Sequence, residues 1–280
     1  MREVASSAEL RAATDAARQR GAGVGFVPTM GALHAGHRAL LVRARAENDL
    51  VVASVFINPL QFGPAEDLAS YPRDREADLA VLAADGTDLA FLPGEREVWP
   101  APPEVRLRVT GSLGDRLEGL VRPGHLDGVA TVVAKLLHLV GPSRAYFGQK
   151  DAQQLAMVRR LVDDLAFPNE IVACPTVREP DGLAVSSRNA YLSATERELA
   201  TALYRALSAG RAAFLAGRRD PAAVEAAARE VLDGVPEVKP DYVALVDPAT
   251  FEPAKQAELG RVLATAARVG RTRLIDNVIL

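Results

Sequence analysis

The chain has little of several things. It has one cysteine, Cys174, in 280 residues, so it forms no internal disulfide and offers no cysteine cluster for zinc. Cys174 ends the apolar run Ile171-Val172-Ala173-Cys174 and reads as a buried small hydrophobe. No apolar run reaches the roughly 18 residues of a membrane span. The N-terminal segment carries Glu3, Glu9 and Asp15 without an apolar stretch, so a secretory signal is not expected. Positive charge is not in excess: 33 Lys and Arg stand against 36 Asp and Glu, for a formal net charge of −3. That balance argues against nucleic acid as the main partner. Lysine is scarce, with Lys135, Lys150, Lys239 and Lys255 the only ones, so a lysine in a loop carries more information than usual. What remains is a cytoplasmic enzyme acting on small molecules, with no membrane partner.

A hydrophobic content of 49% and a charged content of 25% allow a substantial core and two domains. Apolar β-branched runs alternate with amphipathic stretches over the first two thirds. Strands are expected at Val24–Val27, Leu50–Ile57, Thr87–Leu92, Arg144–Phe147 and Asn169–Val177. Helices are expected at Ala8–Arg20, His37–Asn48, Asp74–Ala84, Leu126–Val140 and Asp151–Leu165. Such alternation predicts an α/β fold with a doubly wound parallel sheet, which binds ligands at the carboxyl ends of its strands. After Val177 the pattern changes. Arg178-Glu179-Pro180-Asp181-Gly182 reads as a turn or hinge. Ala-rich helical stretches follow at Thr195–Ala216 and Pro221–Leu232, then strands at Tyr242–Val246, Arg261–Val269 and Thr272–Ile279, the last two forming a hairpin around Gly270-Arg271. The expected division is a domain over 1–177 and a smaller α+β domain over 178–280.

The richest segment is Pro28-Thr29-Met30-Gly31-Ala32-Leu33-His34-Ala35-Gly36-His37. It joins a strand to a helix, where unpartnered N–H groups and the helix dipole favour anions. Residues three apart share one face of a helical turn, so His34 and His37 face one ligand. Gly31 and Gly36 leave room for a ligand against the backbone. Two surface histidines beside a turn is the bland alternative, and the spacing, the glycines and the strand–helix setting favour a nucleotide site.

Two more loops follow strands. Asn58-Pro59-Leu60-Gln61 offers amides suited to hydroxyl and carboxylate groups, although Asn58 before Pro59 is equally a turn former. Gly148-Gln149-Lys150-Asp151 places Lys150 as a compact positive charge, with Asp151 as a helix N-cap and Gln154 on the inward turn beyond. Ser186-Ser187-Arg188-Asn189 supplies hydroxyls and a guanidinium suited to phosphate. Glu118 and Arg122 read either as part of a mobile loop or as a solvated pair. His138 is expected on the apolar face of its helix, and Trp99 as a packing residue. Asp74, Glu76 and Asp78 read either as help for Mg²⁺ or as helix-surface charge.

Together these motifs resemble the pantothenate synthetase (pantoate–β-alanine ligase) family of the nucleotidylyltransferase superfamily. The resemblance runs from Pro28-Thr29-Met30-Gly31 and His34-Ala35-Gly36-His37 through Asn58-Pro59, Gln61-Phe62, Tyr71-Pro72-Arg73, Leu117-Glu118-Gly119 and Arg122-Pro123-Gly124-His125. It continues through Phe147-Gly148, Lys150-Asp151, Gln153-Gln154, Gly182-Leu183-Ala184 and Ser186-Ser187-Arg188-Asn189 to Arg273-Leu274-Ile275-Asp276-Asn277. It implies a Rossmann-like N-terminal domain, a C-terminal lid and a homodimer. It implies ATP-dependent condensation of pantoate with β-alanine through pantoyl adenylate, with Mg²⁺ accompanying ATP. By resemblance, ATP meets Met30, Gly31, Ala32, Leu33, His34, Ala35, Gly36 and His37. The nucleotide site is completed by Gly148, Gln149, Lys150, Asp151, Val177, Val185, Ser186, Ser187 and Arg188. Gln61 and Gln154 hold pantoate, Gln61 also meets β-alanine, and His37 takes the acid role. Val185 stands where the family commonly has Met or Leu, Leu126 replaces a common Phe, and Ala77 replaces a common acid, so the metal's ligands are unassigned. Rival readings are another nucleotidylyltransferase, a class I aminoacyl-tRNA synthetase and a non-catalytic ATP-binding module.

Overall fold

The computed structural model describes residues 1–64 and 66–280. Its contacts divide the chain into two compact units: Met1–Gly148 with Met157–Cys174, and Gln149–Ala156 with Pro175–Leu280.

The first unit holds β1 (Arg2–Val4), α1 (Ser7–Gln19), β2 (Val24–Thr29), α2 (Ala35–Glu47), β3 (Leu50–Val55), α3 (Arg75–Ala84) and β4 (Leu89–Phe91). Three single-turn helices follow, α4 (Glu95–Val98), α5 (Ser112–Asp115) and α6 (Glu118–Val121), and then α7 (His125–Val140) and β5 (Ser143–Gly148). Helix α8 (Ala152–Asp164) leads to β6 (Asn169–Cys174). The strands form one parallel sheet in the order β1-β4-β3-β2-β5-β6. The central strands are buried on both faces, as the near-continuous apolar runs of β2 and β3 require. Val27, Leu41, Val51, Leu82, Ala90 and Tyr146 belong to the core packed on this sheet.

The strand order reverses between β2 and β5, where such sheets open a ligand crevice. The sequence forces the opening. The Thr29 carbonyl accepts from Phe56 N–H on the β3 side, so the alternate residue Pro28 turns toward β5, and proline has no N–H to give. Pairing of β2 with β5 accordingly covers only Gly25 and Phe26, while β3 follows β2 as far as Thr29.

In the second unit β7 (Val238–Val246), β8 (Val262–Val269) and β9 (Thr272–Ile279) form an antiparallel sheet. The β8–β9 hairpin turns at Gly270-Arg271, with Val269 opposite Thr272. The sheet packs with α9 (Ala194–Leu199), α10 (Ala202–Leu215) and α11 (Pro221–Asp233) around Leu203, Leu207, Phe214, Leu232, Leu245 and Leu263. The helical stretch expected over Thr195–Ala216 is broken at Ala200-Thr201. No helix of the described residues is long and apolar enough to cross a membrane.

Some expectations are corrected. His138 is exposed rather than on the apolar face of α7, because at 100° per residue it falls in phase with Asp127 and Ala134. Glu118 is buried, and Arg122 grips Glu66 through two bonds of 2.7 and 2.6 Å, so the pair is not a solvated one. Burial pushes the Glu66 carboxyl up, and the Arg122 guanidinium more than offsets this, leaving it below its ordinary value. Cys174 is buried as expected, and burial raises its thiol.

Candidate active site

At the carboxyl end of β2 the chain makes a constrained turn. Gly31 (φ 83°) and Ala32 (φ 51°) lie in the left-handed region, which costs a β-carbon-bearing residue about 1–2 kcal/mol. Asp78 of α3 holds the turn in place. Its carboxylate accepts from the Ala32 N–H at 3.1 Å and the Leu33 N–H at 2.8 Å. A β-carbon on Gly31 would lie 2.7 Å from Asp78 Oδ2, so the position takes only glycine. Both readings offered for Asp78, metal help and surface charge, give way to this one, since the side chain is buried and committed to backbone. Its phase with Leu82, one helical turn on, was the available sign that Asp78 faces inward.

Helix α2 begins on imidazoles. His34 is the N-cap, its Nδ1 accepting from the Gly36 N–H at 3.2 Å. His37 reciprocates, its Nδ1 accepting from the His34 N–H at 3.3 Å. The two histidines therefore form a capping box in the places of the usual hydroxyl and carboxylate. Their rings stack with centroids 4.0 Å apart. A β-carbon on Gly36 would sit 2.9 Å from His34 Cε1, so that glycine makes room for the imidazole itself. An Nδ1 that accepts carries no hydrogen, so each neutral ring presents Nε2–H as its donor. The sequence pointed to bare backbone N–H groups as the anion cradle. In the structure those of Ala32, Leu33, His34 and Gly36 are engaged by Asp78 and the two rings.

The loop after β3 meets this turn. Asn58-Pro59-Leu60-Gln61 forms a 3-10 turn capped by the Asn58 side chain. Gln61 is buried, with Nε2 lying 3.0 Å from Met30 Sδ and Oε1 accepting from Asn58 Nδ2 at 3.1 Å. Asn58 also donates to the Gly128 carbonyl at 3.1 Å and accepts the Trp99 indole N–H at 3.3 Å. Asn58 is thus the hub that orients Gln61, and Trp99 is buried as expected of a packing residue. Gly128 allows the approach of α7, since a β-carbon there would lie 2.2 Å from the Leu60 carbonyl oxygen.

Sequence reasoning assigned His125 no role. Its Nδ1 lies 2.8 Å from the Gln61 carbonyl oxygen, which only accepts, so Nδ1 carries the hydrogen. Burial, helped by the nearby Arg122 charge, pushes its pKa down from 6.5 to about 4. Between those values the unfolded chain binds the proton and the folded one does not, so stability falls as pH drops from about 6.5 to 4, by roughly 3 kcal/mol in all. Urea titrations at pH 7 and pH 4.5 should show that fall in the wild type and a smaller one in His125→Gln. Equal pH dependence in the two proteins would refute the assignment. A cavity of about 340 Å³ is lined by Phe62, Arg108, Pro123, His125 and Asp127 among others. None of Met30–His37 lines it.

In the second unit Gln149–Asp151 form a 3-10 turn leading into α8. Asp151 closes that turn, and its carboxylate lies 3.6 Å from Lys150 Nζ. The Asn277 amide donates to the carbonyls of both Gln149 and Lys150, each at 2.9 Å. Gln154 is half-buried on the first turn of α8. Val177 and Val185 meet through the Val185 N–H and the Val177 carbonyl at 3.0 Å, across the turn that contains Pro180-Asp181-Gly182. Ser186 caps the 3-10 turn Ser187–Tyr191, its Oγ accepting from the Arg188 N–H at 3.3 Å. Both Ser187 and Arg188 lie on that turn, half-buried.

Among the described residues no group of three His, Cys, Asp or Glu is placed to hold a metal ion.

The profile of the family described as pantoate-beta-alanine ligase matches residues 2–279. The chain belongs to the pantoate–β-alanine ligase family. It is 50% identical over 266 residues to the pantothenate synthetase of Herpetosiphon aurantiacus, covering 95% of this chain and 96% of that one. The crystal structure of pantothenate synthetase from Thermus thermophilus is 54% identical and superposes with a TM-score of 0.94 over 99% of both chains. A pantoate–β-alanine ligase from Francisella tularensis, solved in complex with beta-gamma ATP and β-alanine, is 32% identical, with a TM-score of 0.81 over 100% of this chain and 97% of that one. Membership of the pantoate–β-alanine ligase family sets aside the aminoacyl-tRNA synthetase and the other nucleotidylyltransferases. It also agrees with the Rossmann-like parallel sheet and the small antiparallel one described above.

Proposed function

We propose that this chain condenses (R)-pantoate with β-alanine in two steps driven by ATP. A pantoate carboxylate oxygen bonds to the α-phosphorus while the bond to pyrophosphate breaks. The amine of β-alanine then bonds to the acyl carbon, the acyl–oxygen bond breaks, and AMP leaves. The amine's protons pass to water. The observation that carries this reading is the paired-imidazole start of α2 at the switch point of the sheet, with Gln61 tied to Met30 beside it.

The roles follow the chemistry. Met30–His37, Gly148–Asp151, Val177 and Val185–Arg188 bind ATP, with Val177 and Val185 as the apolar contact for adenine. Two anions must be brought together, so positive charge and donors are concentrated on them. His34 and His37 present Nε2–H, Lys150 a point charge, and Arg188 a fork. No side chain acts as a nucleophile, and the catalysis is positioning and electrostatics. Gln61 and Gln154 take the pantoate hydroxyls, and Gln61 meets β-alanine. Mg²⁺ enters with ATP and supplies charge neutralisation at its phosphates. Residues 1–177 bind nucleotide and pantoate, residues 178–280 act as the closing lid, and the enzyme works as a cytoplasmic homodimer.

The test is product analysis with Mg-ATP, pantoate and β-alanine, each omitted in turn. AMP, pyrophosphate and pantothenate together only in the full mixture is the expected result. ATP binding without AMP under any condition would point instead to a binding module. The role of Gln154 has its own check. Gln154→Ala is expected to raise the pantoate Kd about tenfold, the weight of one or two lost hydrogen bonds, and to leave the ATP Kd within about twofold. A defect confined to ATP would move Gln154 to the nucleotide.

A further inference from the structure

The motif Arg273-Leu274-Ile275-Asp276-Asn277 has no part in the chemistry above. It lies on β9, paired on one side with β8, and consecutive strand residues point to opposite faces. Asp276 and Asn277 are nonetheless both buried, so one dipeptide serves two neighbours. Asp276 takes Arg178 through two bonds of 2.6 and 2.9 Å. Arg178 also donates to the Gly182 carbonyl at 3.0 Å and the Asn277 carbonyl at 3.0 Å, and its guanidinium lies 4.3 Å from the centre of the Tyr204 ring. This fastens the turn that runs through Ala184 and Val185 to Ser186–Arg188. On the other face the Asn277 amide donates to the carbonyls of Gln149 and Lys150, and its oxygen accepts from Gln149 Nε2 at 3.4 Å.

We infer that Asn277 is a positioning residue for Lys150, holding two successive carbonyls so that the lysine leaves the 3-10 turn in one direction, while Asp276 anchors the Arg188-bearing segment from the same strand. The inference rests on the reading that Lys150 acts on the phosphates. An amide NH₂ is the one neutral end that offers two hydrogens to two carbonyls at once. A carboxylate of the same shape turns oxygen toward both.

The test follows pyrophosphate release from Mg-ATP and pantoate for Asn277→Ala, Asn277→Ser and Asn277→Asp, each with Lys150 intact and with Lys150→Ala. Asn277→Ala is expected to lower kcat about tenfold with KM for pantoate within about twofold, and Asn277→Asp to lower it by roughly thirtyfold. Asn277→Ser keeps one donor and should lose only about threefold; it carries the comparison should the alanine variant not fold. If Asn277 acts through Lys150, its effect shrinks to under about twofold once Lys150 is gone. A full Asn277 deficit on top of an impaired Lys150→Ala would overturn the positioning role alone. A Lys150→Ala enzyme of near-normal rate would overturn the reading of the site, and this inference with it.

Discussion

Lys150→Ala is expected to slow pyrophosphate release from ATP and pantoate by about 10²–10³, the usual loss when one donor to a developing negative charge is removed. Its side chain is mostly shielded, at 18% exposure, and its backbone is held by the Asn277 amide. A preorganised cation in such a setting needs no reorganisation as charge moves onto the leaving pyrophosphate. Lys150→Arg should recover little, because a planar fork does not replace a compact point charge. ATP affinity should change far less than rate. Single-turnover measurements separate the two, and near-normal pyrophosphate release from the alanine variant would remove Lys150 from the reaction.

Arg178→Ala is expected to cost about 3–5 kcal/mol, because it leaves the Asp276 carboxylate buried without its partner. The side chain of Asp276 is 2% exposed. For a chain of this size the loss corresponds to a fall in Tm on the order of 10 °C. Burial pushes the Asp276 carboxyl up, and the Arg178 guanidinium opposes that. A carboxyl whose folded pKa lies above its unfolded value holds its proton in the folded state, and that contribution is complete below the unfolded value of about 3.9. It is lost as pH rises through the folded value. Without Arg178 the upward push is unopposed, so the deficit of the variant should be smallest near pH 4 and grow toward neutrality. Calorimetry across that range would show it, and a small deficit independent of pH would mean that Asp276 is not charged in the native protein.

The strands and helices of the first unit were legible because their periodicity is strong. The expected helices at Ala8–Arg20 and Leu126–Val140 are found at Ser7–Gln19 and His125–Val140. The strand Arg2–Val4 was not legible. It is three residues long and owes its conformation to β4, a tertiary partner that local pattern does not contain. The single-turn helices Ser112–Asp115 and Glu118–Val121 escaped for the same reason. At the site, His34 and His37 were found by spacing, whereas their function as caps depends on where the rings turn. Asp151 was read as a cap from its place before a helix, and it stands at that place, as the last residue of the 3-10 turn that leads into α8 at Ala152. Asp78 was read as metal help or surface charge, and His125 and Asn277 were assigned no role, because each acts on backbone atoms far away in sequence: 45 residues from Asp78 to Leu33, 64 from His125 to Gln61 and 127 from Asn277 to Lys150. Side-chain-to-backbone contacts of that span leave no periodic trace.

The imidazole-capped start of α2 bears on how this enzyme could be engineered. Aspartate, serine and asparagine are the favoured residues at a helix start. A campaign that rewards heat tolerance alone would therefore drift toward such residues at position 34, and on the role proposed for His34 it would collect sturdy proteins with impaired adenylate formation. Directed evolution of this scaffold needs turnover in the selection from the first round, because under the proposed role of His34 robustness and reactivity pull in opposite directions at this one position.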